Sequence, residues 1–162
     1  EEKAALSSVP THNSPPAIAG AVAVAVGVRC SLGGMKLPEM IKEICLRATK
    51  YDDVLGKKIV YSFKMRDEEP DIAFARLGTS YLVNDTVPSA FYCFSRYFDE
   101  PENAIIEGIN AGGDTDSIAC ITGALCGARH GIDIFPSRWL DGLENRELVE
   151  DIAEMIFEKS IS

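Results

Sequence analysis

The sequence predicts an all-α fold. Three observations lead there. Apolar residues recur at three- and four-residue spacing in segment after segment, prolines stand near the starts of those segments, and no pair of alternating runs is joined by a hairpin turn. At 162 residues the chain has the size of one domain and can bury a core. It carries no internal repeat and no low-complexity linker.

Taken in order, Pro15 and Pro16 open the apolar run 17–28. The Ala/Val alternation of that run also fits a strand, but its alanine content and length favour a buried helix. Residues 37–50 place Leu37, Met40, Ile41, Ile44, Cys45 and Ala48 on one helical face, with Pro38 in the first turn. Helices are expected over 54–65, 70–77 (ended by Gly78), 86–98 and 101–110, with Pro70, Pro88 and Pro101 near their starts. Residues 115–130 form the most informative helix, because Ala119, Gly123 and Gly127 recur on one face with Ala124 and Ala128 alongside. So smooth a face lets a neighbouring helix approach closely. Each glycine weakens an isolated helix by about 1 kcal/mol relative to alanine, so tertiary packing has to offset them. The last segment, 146–159, is amphipathic and is expected to bury Leu148, Ile152, Met155 and Ile156.

Charge and cysteine content narrow the function classes. A formal net charge of −9, with no basic stripe, argues against binding a nucleic acid backbone. The run 17–28 is too short to span a bilayer and lacks a basic segment before it, so no membrane or secretory role is expected. Cys30, Cys45, Cys93, Cys120 and Cys126 are odd in number, form no C-x-x-C pair and lie mostly in apolar segments. They read as reduced thiols of a cytoplasmic protein. The first residue is Glu1 and not methionine, which points to a processed or excised piece of something longer.

The chemistry is concentrated in Ile109-Asn110-Ala111-Gly112-Gly113-Asp114-Thr115-Asp116-Ser117-Ile118. Asp114, Asp116 and Ser117 offer only oxygen donors, which suits Mg²⁺, Mn²⁺ or Ca²⁺ better than zinc. Gly112 and Gly113 allow a tight bend and close approach of the backbone. Helix capping by Asp and Ser explains the same residues and stays open beside the metal site. An EF-hand does not fit, because Ile118 and Leu125 fall on ligand positions. Nor does a P-loop, which needs Gly-Lys-Ser/Thr. An Asp-x-Asp phosphotransferase would place the pair after a strand, whereas 104–110 reads helical. Elsewhere, Thr11-His12-Asn13 gathers hydrogen-bonding groups at the start of a helix, and Tyr81 is either a core aromatic or a platform for a base. His130 suits a helix C-terminus, and Trp139 reads as a packing residue.

GINAGGDTDSIACITGALCGARHG resembles the C-terminal signature of the ADP-ribosylglycohydrolase family. THNSPPAIAGAVAVAV resembles the family's histidine-bearing loop and the helix after it, and LGTSYLVNDTVPSAFYCF resembles the segment between that helix and the metal motif. The resemblance implies a compact multi-helix bundle, incomplete in this chain, with residues 1–162 forming the C-terminal portion of a single domain. It implies a hydrolase that uses two Mg²⁺ or Mn²⁺ ions to remove ADP-ribose from modified protein side chains or related ADP-ribosyl substrates. Asp114, Asp116 and Ser117 fall on metal ligands, and the two aspartates are catalytic chiefly through the metal, with Asp116 touching both ions. His12 falls on a histidine contacting ADP-ribose, and Tyr81 falls where a side chain packs on adenine. Gly113 belongs to the substrate-binding turn.

The family's remaining ligands, a Thr-Asp-Asp cluster and an earlier Glu, belong to an N-terminal half, which is the expected partner of this chain. Asp52 and Asp53 follow the histidine loop in order and read as a solvated helix start. The isolated chain is therefore expected to be inactive and to leave apolar helix faces uncovered, notably 17–28 and the Ala119/Gly123/Gly127 stripe. VPSAFYCF is similar to members acting on O-linked and polymeric substrates. Two other classes remain: a non-catalytic binding or structural, crystallin-like relative, and a metal-dependent phosphohydrolase.

Overall fold

The computed structural model describes residues 1–161, and all regular structure among them is helical. Ten helices follow in order: α1 (Glu2–Ser8), α2 (Pro15–Leu32), α3 (Leu37–Ala48), α4 (Asp53–Lys64), α5 (Pro70–Leu77), α6 (Val83–Arg96), α7 (Pro101–Asn110), α8 (Thr115–His130), α9 (Ser137–Asp141) and α10 (Arg146–Ile161). They divide into two units, Glu1–Gly131 and Ile132–Ser162.

The first unit is built around α2 and α6. Helix α2 packs against α1, α3, α4, α6 and α8, and every residue of α6 from Thr86 to Ser95 is buried. Phe91, Tyr92 and Phe94 are its largest buried side chains; Phe91 meets Phe63 at a ring distance of 5.4 Å, and Phe74 meets Tyr92 edge-on at 5.4 Å. The Tyr92 hydroxyl donates to the Glu68 carbonyl at 2.9 Å, so this ring enters the core with its polar tip satisfied. Helices α2 and α8 come together at Gly27, where an added Cβ would lie 2.8 Å from Leu125 Cδ2 and 3.2 Å from Phe91 Cε1. Helices α7 and α8 meet through small residues as well, an added Cβ on Gly108 lying 3.2 Å from Ala119 Cα and one on Gly123 3.6 Å from Ile105 Cδ1.

The structure corrects the sequence reading in several places. The apolar run is longer than 17–28: α2 has 18 residues and is long and apolar enough to cross a membrane by length and composition. Ala19, Val22, Ala23, Val26 and Cys30 are nevertheless buried against neighbouring helices, which makes α2 a core element of this unit. The Ala119/Gly123 stripe is covered by α7, and most of 17–28 is buried or half-buried, so neither is the uncovered face expected of this chain.

Helix α6 starts at Val83, because the amides of Asp85 and Thr86 already bond to the Leu82 carbonyl. Pro88 consequently stands inside the helix and not near its start, where its missing N–H leaves the carbonyl four residues back without its usual donor. Helices α1 and α9 carry no strong periodic signal and were not anticipated. Asp52 and Asp53 do form a helix start: Asp52 Oδ1 accepts the Leu55 N–H at 2.7 Å, and Asp53 pairs with Lys57. His130 ends α8 as expected and also reaches the Phe98 carbonyl at 2.9 Å.

In the second unit, Leu148, Ile152, Met155 and Ile156 of α10 are exposed, contrary to the expected burial. The amphipathic pattern is there, but within this unit only the five-residue α9 is available to face it.

Phe91 joins α6 to α2 and α4, so Phe91→Ala is expected to destabilise the chain by about 3–5 kcal/mol, as read from urea unfolding followed by circular dichroism. A loss below 1 kcal/mol would mean that the three helices do not share one core.

Candidate functional site

The N-terminal ends of α2, α6 and α8 converge on one cleft of about 670 Å³, within the range of ordinary ligand sites. One rim is hydroxyl-rich, with Ser8, Thr11, His12 and Ser14 from the α1–α2 connection. The floor is apolar, with Ala17, Ala21, Val83, Val87 and Ile121. Tyr81, Thr86, Asp114 and Ser117 complete it. Three helix N-termini at one opening favour a negatively charged ligand through their dipoles. Pro15 and Pro16 fill the first two positions of α2, so that helix contributes its dipole with few free N–H groups.

Of the sequence-predicted residues, His12, Tyr81, Asp114 and Ser117 line this cleft together. Asp116 lies in an adjoining depression with Ser117, Cys120 and Ile121. Gly113 contributes backbone only. Tyr81 is 83% exposed, which rules out the core-aromatic reading and leaves its ring free to receive a ligand face. His12 is exposed too, with Nδ1 at 3.0 Å from Thr11 Oγ1. Its backbone is fixed, since the His12 amide donates to the Ser8 carbonyl at 2.8 Å and the Ser8 hydroxyl donates to the His12 carbonyl at 3.0 Å.

Asp114 occupies the N-cap position of α8, yet its side chain makes no capping bond to the helix. This separates it from Asp52, which does cap. The Asp114 carboxylate instead accepts from the Ser117 hydroxyl at 3.0 Å and lies 3.3 Å from Thr86 Oγ1, whose proton is shared with nearer backbone carbonyls. Asp116 is held below the ordinary aspartate value of 3.8, first by a side-chain hydrogen bond with Asp114 and then by the backbone N–H groups of Ser117 and of Asp116 itself. Two carboxyl groups and a hydroxyl thus gather at the positive end of α8. Like charges this close are relieved by a shared proton or by a cation. Their donors are all hard oxygens, which fits Mg²⁺ or Mn²⁺. Among the described residues, no three His, Cys, Asp or Glu side chains form a metal-ligating group.

The loop 78–82 seats this arrangement, and the sequence marks in it only Gly78, as a helix end, and Tyr81, as a site residue. The Asp114 amide donates to the Thr79 carbonyl at 2.7 Å. Gly113, with φ of 66°, permits the approach: a Cβ there would overlap the Thr79 carbonyl oxygen and stand 2.8 Å from its carbon. The loop is held from the other side by α6. Ser89 Oγ donates to the Gly78 carbonyl at 2.7 Å, Thr86 Oγ1 donates to the Ser80 carbonyl at 2.9 Å, and Ser80 Oγ donates to Asp85 Oδ2 at 2.6 Å. Lys58 of α4 donates to Asp85 Oδ1 at 2.8 Å. Burial opposes the Asp85 charge, but the hydrogen bonds from Lys58 and Ser80 outweigh it and hold the carboxyl below 3.8. Burial pushes the half-buried Cys45 thiol up to about 11 and the buried Cys126 thiol up to about 12, away from reactivity.

Comparison with known proteins adds to this geometry. The family model described as ADP-ribosylglycohydrolase matches residues 1–162. An uncharacterized protein of Archaeoglobus fulgidus is 42% identical over 158 residues, covering 98% of this chain and 51% of that protein. ADP-ribosylhydrolase ARH3 of Homo sapiens is 32% identical over 99 residues, covering 53% of this chain and 27% of that protein. ADP-ribosylarginine hydrolase Tri1 of Serratia proteamaculans is 34% identical over 97 residues, covering 60% of this chain and 24% of that protein. The chain spans about half the length of the curated relatives it matches along its full extent.

Two outcomes test the loop. Gly113→Ala combines a left-handed backbone with a clash on the Thr79 carbonyl and is expected to cost at least about 1–3 kcal/mol in thermal unfolding. Unchanged stability would mean that the loop does not dock on α8. For Asp85, a folded-state value below 3.8 means that its contribution is fully present above that pH and is lost as pH falls through the folded value. Asp85→Asn should therefore lower the melting temperature by a constant amount at neutral pH, and the gap should close as the pH is lowered below 3.8 and through the folded-state value. A gap that persists in acid would show that the charge is not the source.

Proposed function

Given that the chain belongs to the ADP-ribosylglycohydrolase family, we propose that it forms part of a cation-dependent hydrolase that removes ADP-ribose from modified protein side chains or related ADP-ribosyl substrates. The observation that carries this reading is Asp114: it stands at a helix N-cap without capping, and its carboxylate turns to Ser117 at the edge of the cleft. Acids in a first turn suit the helix dipole by themselves; what supports a cation seat is the gathering of two carboxylates and a hydroxyl, all hard oxygen donors, at the cleft edge.

Asp114, Asp116 and Ser117 are the residues that would hold one or two Mg²⁺ or Mn²⁺ ions. When bound, such ions would orient ribose hydroxyls and polarise or position the water that attacks the anomeric carbon. The chain's own side chains do the rest of the binding. Tyr81 offers an exposed ring for the adenine, and His12 offers ring nitrogens to polar atoms of ADP-ribose. The convergent helix ends favour the diphosphate, while the apolar floor excludes water beneath it. The remaining metal donors, and the carboxylate that exchanges protons with the leaving group, come from sequence outside these 162 residues. On this reading the chain by itself hydrolyses negligibly, because a cation with strict octahedral demands is held weakly by three donors from one helix start.

The test uses the full-length protein, offered arginine-linked, serine-linked and polymeric ADP-ribose in turn. Wild type should release ADP-ribose in the presence of Mg²⁺ and lose release in excess chelator. Asp116→Asn, which removes a charge without changing shape, should lose more than the roughly 10–100-fold that an outer-shell partner costs, with an unchanged circular dichroism spectrum. Release that survives Asp116→Asn or chelation, or release of inorganic phosphate in place of ADP-ribose, would overturn the proposal.

A further inference from the structure

The loop 78–82 carries Tyr81 at its exposed turn and the Thr79 carbonyl on its inner edge. What fixes this loop is a carboxylate that does not reach the cleft. Asp85, in the first turn of α6, accepts from Ser80 Oγ at 2.6 Å and from Lys58 Nζ at 2.8 Å, so both of its oxygens are engaged by charge-assisted or short hydrogen bonds. It also lies directly under Gly78, where an added Cβ would stand 2.6 Å from the Asp85 Cγ and where φ is 79°. The loop backbone is thus pressed onto Asp85 at one residue and hydrogen-bonded to it at another. Its next carbonyl, that of Thr79, reaches the Asp114 amide. Only a short span of backbone separates the two attachments, so freedom at Ser80 becomes freedom at Asp114.

We propose that Asp85 is a positioning residue of the site: by clamping Gly78 and Ser80 it sets where Tyr81 stands and docks the Thr79 carbonyl on the Asp114 amide, which orients the carboxylate at the mouth of α8. This rests on the reading of Tyr81 and Asp114 as ligand-binding residues. Lys58 serves the clamp by holding Asp85 from α4, and this links the site to the core through an ion pair whose side chains are 26% and 21% exposed. A merely structural role for Asp85 would loosen the whole unit evenly. A positioning role loosens the loop and the α8 mouth first.

The experiment is site-resolved amide hydrogen exchange on the chain by NMR, for wild type, Asp85→Asn and Ser80→Ala, with Phe91→Ala as a globally destabilised reference. Ser80→Ala removes one hydrogen bond and leaves the Lys58 pair in place, so it reports on the clamp even if Asp85→Asn folds poorly. Both clamp variants should exchange the Asp114 amide at least tenfold faster than wild type, while amides of α2 such as that of Val26 change far less. Phe91→Ala should instead raise exchange throughout. Asp114 exchange that is unchanged, or that rises only in step with Val26, would overturn the proposal.

A second arm titrates ADP-ribose with Mn²⁺ into the full-length protein and its Ser80→Ala variant, and Ser80→Ala should weaken ADP-ribose at least tenfold. Equal affinity in wild type and Ser80→Ala would also overturn it. A full-length wild type that binds neither probe would contradict the functional reading, while the exchange arm still decides whether Asp85 positions Asp114.

Discussion

One backbone hydrogen bond organises the site: the Asp114 amide to the Thr79 carbonyl, 2.7 Å long, closed across a glycine that leaves no room for a side chain. A hydrogen bond of this kind contributes only about 0.5–1.5 kcal/mol net, too little to order two loops by itself. The contact persists because both of its sides are anchored elsewhere. On one side α8 is packed against α2, α6 and α7; on the other, the loop is pinned by Asp85, Thr86 and Ser89 of a helix whose core-facing residues are buried throughout. The aromatic core around Phe91 and Tyr92 therefore reaches the chemistry through α6, which presents packing residues in its middle and loop-holding polar groups in its first two turns.

The placement of charge follows the same plan. Asp52 and Asp114 both stand immediately before a helix, and only Asp52 uses its carboxylate to cap. Capping satisfies a helix amide and stabilises by about 1 kcal/mol. At Asp114 that gain is forgone, and the carboxylate is brought beside Asp116 and Ser117 instead. Gathering two acids raises their mutual repulsion, which the side-chain hydrogen bond between Asp116 and Asp114, the backbone N–H groups around Asp116 and the dipole of α8 offset in part. On the proposed reading, a divalent cation would remove the repulsion and tie the acidic cluster to the apolar-floored cleft as one functional unit.

Much of this was legible in the sequence, for reasons that are local. Prolines at 15, 38, 70 and 101 mark helix starts because the missing N–H costs nothing in a first turn, and the Gly-Gly-Asp-x-Asp-Ser run announces a sharp bend delivering oxygen donors. The all-α fold follows from such signals, and the family from the resemblance of three whole segments. What was not legible depends on contacts between segments distant in sequence. Nothing near Asp85 announces that Lys58 and Gly78 meet it, and nothing near Gly113 says that the Thr79 carbonyl occupies the space of its absent side chain. Pro88 misleads for the opposite reason: a proline signal near a helix start was read locally, whereas the Leu82 carbonyl had already begun the helix. The apolar stripe of α10 shows that periodicity predicts a helix and its face but not what, if anything, covers it.

The central claim, that Asp114, Asp116 and Ser117 form a cation seat and not a helix cap, is tested most directly by crystallising the full-length protein with Mn²⁺ and collecting anomalous data at the manganese edge. The account predicts an anomalous peak within roughly 2.5 Å of a carboxylate oxygen of Asp114, one of Asp116 and the Ser117 hydroxyl. No peak there at saturating Mn²⁺, with the Ser117 hydroxyl still donating to Asp114, would contradict it.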